Sequence, residues 1–288
     1  MAITKRFAED IGTMESVRCF PGVRPLSIAR AIGTARVSAI ACTCLALAFS
    51  ALAQSSANAP AHPPTAAAAL PTADQVLDRY IAAEGGPAIL QKLTSRVMIG
   101  TLSVPSMSWS GTVEIRQKAP NRSLAVILIN GASYRQGFDG EAGWTDEPQY
   151  GLRDQTGAEL AETRRESDFY HALDLHKLYS KFTLTGKEKV GERDAYVIEA
   201  AVPEGGPPEK LYFDVESGLV LRDSSQRHGP DGVSEFQQDY DDYRAIDGVK
   251  LPFTIRQTNE GTLVIITVEE YHHNVPLEDG DFARPAAQ

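Results

Sequence analysis

Residues 209 to 222, Glu-Lys-Leu-Tyr-Phe-Asp-Val-Glu-Ser-Gly-Leu-Val-Leu-Arg, constrain the fold more than any other stretch. They read as strand, tight turn, strand. Leu211 to Phe213 and Leu219 to Leu221 carry aromatic, β-branched and aliphatic side chains. Between them, Asp214 and Ser217 can hydrogen-bond their own backbone, and Gly218 supplies a positive φ without a Cβ clash. The plan recurs at Gly137-Phe138-Asp139-Gly140-Glu141-Ala142-Gly143-Trp144, and more loosely at Ile246-Asp247-Gly248-Val249. A chain punctuated this way folds as hairpins laid side by side.

The remaining runs and turns agree. Val97 to Val104, Ser108 to Lys118, Leu124 to Ile129, Tyr134 to Phe138, Phe182 to Val190, Ala195 to Val202, Gly232 to Tyr243, Val249 to Thr258 and Thr262 to His272 read as further strands. Asn130-Gly131 is a strong hairpin turn. The fold class expected is mainly β (α+β), an antiparallel sheet of about eleven strands with two or three helices. Most strands have one polar face, as where Val113 and Ile115 alternate with Glu114 and Arg116. Leu124 to Ile129 and Leu263 to Val268 are apolar on both faces, and such a strand needs cover on both sides or a cavity on one.

Two capping boxes mark helix starts, Thr72-Ala73-Asp74-Gln75 and Thr156-Gly157-Ala158-Glu159. The first helix presents Val76, Leu77, Tyr80 and Ile81 on one side and stops at Gly85-Gly86-Pro87. The second is expected to run to about Tyr179. Its first half is charged and its second half carries Phe169, Ala172, Leu173, Leu175 and Leu178.

The chain of 288 residues divides into residues 1–53, 54–71 and 72–288. Arg30 and Arg36 precede an apolar run ending Ala51-Leu52-Ala53, the pattern of a secretory signal peptide cut after Ala53. The run is short and Ala-rich for a membrane span, with a retained N-terminal anchor as the alternative reading, and Met14 is an alternative start. All three cysteines, Cys19, Cys42 and Cys44, lie before the cut, so the expected mature chain forms no disulfide. Residues 54–71, rich in Ala, Pro and Ser, read as a flexible tether. The net charge of −10 becomes more negative after the cut, because the first 53 residues hold six basic and three acidic side chains. An acidic exported domain with no basic run is a poor partner for nucleic acid or anionic membrane.

Motifs with chemistry are missing. There is no Gly-x-Ser-x-Gly, HExxH, P-loop or dinucleotide glycine pattern. His171 and His176 are five apart and fall on different sides of a helix. His272 and His273 adjoin on a strand and point to opposite faces. Asp239-Tyr240-Asp241-Asp242-Tyr243 lacks the spacing of a calcium loop and reads as a solvated edge or strand end. No catalytic residue, metal ligand or cofactor is assigned.

The signal peptide, the helix Asp74 to Glu84 and the hairpin series with an interposed helix together resemble the LolA/LppX-like superfamily of bacterial lipoprotein-localisation factors. Three stretches carry the resemblance more closely: Gly137-Phe138-Asp139-Gly140 with Gly143-Trp144, Tyr212-Phe213-Asp214 with Ser217-Gly218-Leu219, and Tyr240-x-x-Tyr243 with Asp247-Gly248-Val249-x-Leu251-Pro252. It spans about residues 72 to 285. The resemblance implies a curved, unclosed half-barrel with helices across its concave side and an apolar space for acyl chains, in the periplasm. The expected cavity lining is Val126 and Leu128, Phe169 and Leu173, and Val264 and Ile266. The expected partner is a hydrophobic small molecule or acyl chain, with another envelope protein as a second partner. Two rival readings stand beside this one. One is a ligand-free interaction or sensor domain with a filled core; the other is a hydrolase assembled from distant strands.

Overall fold

A computed structural model describes residues 70–286. The expected signal peptide and nearly all of the expected tether lie outside the described residues. Helix α1 (Ala73–Glu84) begins as its capping box requires: Thr72 Oγ1 accepts from Gln75 N (3.2 Å) and Gln75 Oε1 accepts from Thr72 N (2.9 Å). A short α2 (Pro87–Leu90) follows. Then come β1 (Ser95–Val104), β2 (Trp109–Lys118), β3 (Arg122–Ile129), β4 (Ala132–Phe138), β5 (Gly143–Glu147) and β6 (Gly151–Asp154). Helices α3 (Gly157–Glu166) and α4 (His171–Leu178) lead to β7 (Lys181–Val190), β8 (Arg193–Ala201), β9 (Glu209–Asp214), β10 (Val220–Gly229), β11 (Gly232–Ile246), β12 (Val249–Asn259) and β13 (Thr262–His273).

All the strands form one antiparallel sheet of 13 strands in the order β6-β5-β4-β3-β2-β1-β13-β12-β11-β10-β9-β8-β7. It is unclosed, with β6 and β7 as its edges, and α3 and α4 connect those edges. The sheet is strongly curved. Helix α3 touches both β5 and β10, which are eight strand spacings apart. A flat sheet would separate them by about 38 Å, at about 4.8 Å per strand. A ten-residue helix is only about 15 Å long. Tyr150, between β5 and β6, also hydrogen-bonds Asp231, between β10 and β11. The half-barrel is therefore bent until its two walls meet the same helix.

The strand registers sort the side chains onto two faces. Leu102, Ile129, Ile255 and Ile266 share one face, as do Val264, Gln257, Gln238, Asp223, Leu211 and Ile198 across successive strands. This is the face the helices cover: Val76 and Leu77 of α1 and Leu175 of α4 pack on Ile198, Leu211 and Phe213. The opposite face has its own small core, in which Leu124 and Trp144 are sealed by Phe282 of the C-terminal tail, with Val126, Leu152 and Leu277 around them.

Three expectations need correction. The second helix does not run unbroken to Tyr179. It stops at Ser167, where Asp168 Oδ1 accepts from Tyr170 N (2.9 Å) and Phe169 N donates to Pro120 O (2.9 Å). Ser and Asp side chains offer the backbone such alternatives to the helix. Its capping box is also not made. Thr156 caps nothing with its side chain, and Glu159 instead holds the Arg153 guanidinium through two bonds of 2.6 and 2.7 Å. The aspartates around Tyr240 lie within an interior strand rather than at an edge. They are balanced by arginines: Asp239 by Arg222, Asp241 by Arg256 and Asp242 by Arg244.

The opening hairpin forms as its residues dictate. Asp214 Oδ2 accepts from Ser217 N (2.8 Å) and Ser217 Oγ (2.6 Å), and Gly218 sits at φ 80°. Burial works against the Asp214 carboxylate, but the Ser217 and Arg193 hydrogen bonds outweigh it and hold its pKa below the usual range. A Cβ on Gly218 would approach Arg79 Cγ at 3.0 Å. Gly218→Val is expected to cost at least about 1 kcal/mol through the positive φ and this contact. A melting temperature equal to that of the parent chain would show that the turn tolerates a side chain.

Candidate ligand-binding site

Between α1, α2, α4 and the start of β1 lies a cavity of about 100 Å³. Leu90, Leu93, Phe169, Ala172 and Leu173 supply its apolar lining, and Tyr80, Glu84, Arg96, Gln117 and His171 its polar lining. The cover is fixed at its N-terminal end. Phe169 N donates to Pro120 O, Tyr170 Oη donates to Leu93 O (2.9 Å), and the Ser123 and Ser167 hydroxyls lie 2.6 Å apart. Phe169 also stacks under the Arg96 guanidinium, 5.7 Å from its ring centre.

The polar lining is poorly satisfied. Glu84 Oε2 and Arg96 Nε are sealed from solvent and make no hydrogen bond among the described residues. The same holds for Nε2 of His273, whose backbone is the direct cross-strand partner of Arg96. Burial pushes the Glu84 carboxyl up, against the opposing pull of Arg96 and Tyr80. Burial likewise pushes His171 and His273 down, towards neutral imidazoles. The Nδ1 of His273 lies 3.1 Å from Asp247 Oδ2, which sets Nδ1 as the proton carrier and leaves Nε2 an acceptor.

Under α3 the interior is polar rather than greasy. Arg165 reaches Glu209 (2.7 Å) and Glu204 (3.2 Å), Tyr179 Oη donates to Glu209 (2.6 Å), Arg227 meets Glu166, and His228 meets Glu162. Further along the same face, Tyr240 Oη donates to Asp223 Oδ2 (2.5 Å), and Gln257 Nε2 donates to Gln238 Oε1 (2.6 Å). Burial raises Asp223 from 3.8 to about 7, helped by Glu209 and Asp239 and opposed by the Tyr240 hydrogen bond. The folded chain therefore holds this proton more tightly than the unfolded chain does. Between about pH 4 and 7, unfolding releases it, so stability falls as pH rises, by at most about 1.4 kcal/mol per pH unit, and the effect levels off above 7. Asp223→Asn is expected to flatten that part of the curve of urea midpoint against pH. An identical slope in the variant would remove Asp223 from the account.

The six residues expected to line one space are divided by the fold. Phe169 and Leu173 line the cavity. Val264 and Ile266 lie on the same helix-covered face but in a separate cluster with Met98, Leu102, Val113, Ile129 and Phe253, towards the other end of the half-barrel. Val126 and Leu128 alternate with Ile127 and Ile129 and so point to the opposite face, where the tail packs beside Val126. The second apolar face of β3 is thus covered by the tail at Leu124 and Val126, not by a helix, and Leu128 on the same face stays exposed. Sequence reading missed Glu84, Arg96 and His273. Their one signal was a charged residue at an inward position: Arg96 is in phase with Met98 on β1, and Glu84 closes the apolar side of α1. Among the described residues, no group of three or more His, Cys, Asp or Glu is placed to hold a metal. No helix there is long and apolar enough to cross a membrane.

The chain is an unclosed, helix-covered half-barrel with a small space of mixed polarity under α4. The chain is similar to several solved structures. A DUF1329 family protein from Desulfovibrio piger is 15% identical, with 74% of this chain and 97% of that one covered at a TM-score of 0.49. A LolA superfamily protein from Nitrosomonas europaea is 14% identical, covering 74% and 98% at 0.47. An outer membrane lipoprotein-sorting protein domain from Vibrio parahaemolyticus is 13% identical, covering 72% and 94% at 0.45. No protein-family model matches the chain, and no curated protein matches it.

Proposed function

We propose that this chain is an exported, non-enzymatic binding protein that holds a lipid or other hydrophobic small molecule between α4 and the sheet, in envelope lipid or lipoprotein trafficking. The observation that supports this most directly is the cavity walled by Leu90, Leu93, Phe169 and Leu173. Export follows from the Arg-flanked apolar run ending at Ala53. Ligand pockets for small molecules typically measure about 300–1,000 Å³. A cavity of about 100 Å³ is smaller, so binding an acyl chain requires α4 to lift from Leu90 and Leu93. The same small volume favours the rival reading, an interaction domain with its interior filled by side chains.

Leu173→Glu separates the two. Leu173 is half-buried at the cavity wall, so a carboxylate there can keep some solvent contact in the free protein. With the fold intact by circular dichroism, the variant is expected to lose at least about tenfold in affinity for a neutral apolar fluorescent dye such as N-phenyl-1-naphthylamine. No uptake by the delipidated parent chain, or uptake unchanged in the variant, would favour the filled interior.

A further inference from the structure

Among the described residues, four of the five large apolar side chains that stay exposed stand at one rim of the sheet: Trp109, Leu128, Tyr150 and Val233. The fifth, Leu70, is the first described residue. This rim carries the β1–β2, β3–β4, β5–β6, β10–β11 and β12–β13 turns. The opposite rim carries the β2–β3, β4–β5, β7–β8, β9–β10 and β11–β12 turns and exposes none of these side chains. Scattered exposed apolar side chains are ordinary, but a collection at one end calls for a partner. The hydrogen bond from Tyr150 Oη to Asp231 joins the β5–β6 and β10–β11 turns, with Val233 two residues further on.

The facing of these side chains selects what can cover them. The register sets Trp109 on the helix-covered face, in phase with Gly111, the partner of Leu102 and Ile129. Leu128 and Val233 fall on the opposite face. A protein docked flat on either face would cover only part of the set. A lipid interface entered rim-first covers both faces at once. Trp and Tyr are also the side chains enriched at bilayer interfaces, where one end of the ring is apolar and the other wet. Charge selects the lipid. The five hairpin turns of this rim hold no Lys or Arg, and Asp231 and Glu260 are their charged residues. Anionic lipid is held by basic clusters, and carboxylates repel it.

We propose that this rim seats end-on in the interface of a zwitterionic phospholipid bilayer. Trp109, Leu128 and Val233 enter below the head groups, and Tyr150 lies among them. The docking stands apart from the cavity under α4 and needs no bound ligand.

The test uses phosphatidylcholine vesicles and the exported chain, residues 54–288, so that the apolar run ending at Ala53 takes no part; every described element lies beyond it. Trp109 and Trp144 are the two tryptophans, and Trp144 is already buried, so a change in emission reports Trp109. That emission is expected to move to shorter wavelength and to be quenched by lipid brominated in its acyl chains. Trp109→Ser/Val233→Ser alters two exposed side chains and is expected to lower co-sedimentation with vesicles at least about tenfold, with dye uptake unchanged. Trp109→Phe is expected to keep most of the co-sedimentation and lose the emission response. Phosphatidylglycerol vesicles are expected to bind more weakly than phosphatidylcholine, most clearly at low ionic strength. An unchanged emission at millimolar lipid, co-sedimentation unaffected by the double variant, or tighter binding to phosphatidylglycerol would each overturn the proposal. So would a dimer in sedimentation velocity that the double variant dissolves, because the rim would then be a contact between copies. All of these outcomes leave the binding reading intact, and failure of the parent chain to take up dye would overturn that reading alone.

Discussion

Trp144→Ala is expected to lower the stability of the chain by about 3–5 kcal/mol, the cost of deleting a large aromatic side chain from a packed core. Trp144 is 2% exposed, and its indole N–H donates to Phe282 O at 3.0 Å. Its ring lies on Gly137, where a Cβ would come within 2.4 Å of it, so the ring and the glycine are matched in shape. Removing the ring opens a void on the face away from the helices and cuts the tail's main anchor. Trp144→Phe, which keeps most of the packing and loses the hydrogen bond, should fall between the two. Urea unfolding gives both numbers. A loss below about 1 kcal/mol for the alanine variant would show that the tail closes the site without its help.

Arg165→Met is expected to cost about 3–5 kcal/mol, for an electrostatic reason. Arg165 is only 8% exposed, although it leaves a helix of otherwise charged and solvated character. It is held by Glu209 and Glu204 and lies 5.6 Å from the Tyr179 ring centre. Without it, Glu209 keeps its charge in a half-buried site with Tyr179 as its remaining partner. The cost is the stranded carboxylate rather than the lost attraction. Arg165→Met/Glu209→Gln removes both charges and keeps an acceptor for the Tyr179 hydroxyl, so it should recover most of the loss. If the double variant is no more stable than the single one, the penalty lies in lost packing of the Arg165 stem instead.

Local features were readable in the sequence because their causes are local. Thr72 and Gln75 cap the same turn of α1, and Asp214, Ser217 and Gly218 build their turn from one another. The hairpin count came out low mainly because β6 is four residues long and starts at Gly151, which gives no apolar alternation to read. The break between α3 and α4 had its signal in Ser167-Asp168, but the deciding bond, Phe169 N to Pro120 O, comes from a distant turn. The two-sided apolar run in β3 has a second cover over Leu124 and Val126 and none over the exposed Leu128. That cover is Phe282, 138 residues beyond Trp144, which no spacing rule connects to it. The site was least legible. Glu84, Arg96 and His273 belong to a helix and two strands, and only the folded sheet brings two of them into register.

The topology also sets an order of assembly. Eleven of the twelve strand pairings join neighbours in sequence, and such hairpins close quickly and independently. The exception is β1 with β13, whose partners Arg96 and His273 are far apart in the sequence. Until the last strand arrives, β1 pairs only with β2, and its other edge of ten residues lies open. An open edge of that length is a template for any passing strand. Completion of the sheet is therefore deferred to the C-terminal residues, and a chain that ends between Asn259 and Thr262 holds two ribbons bridged by α3 but not paired with one another through the sheet.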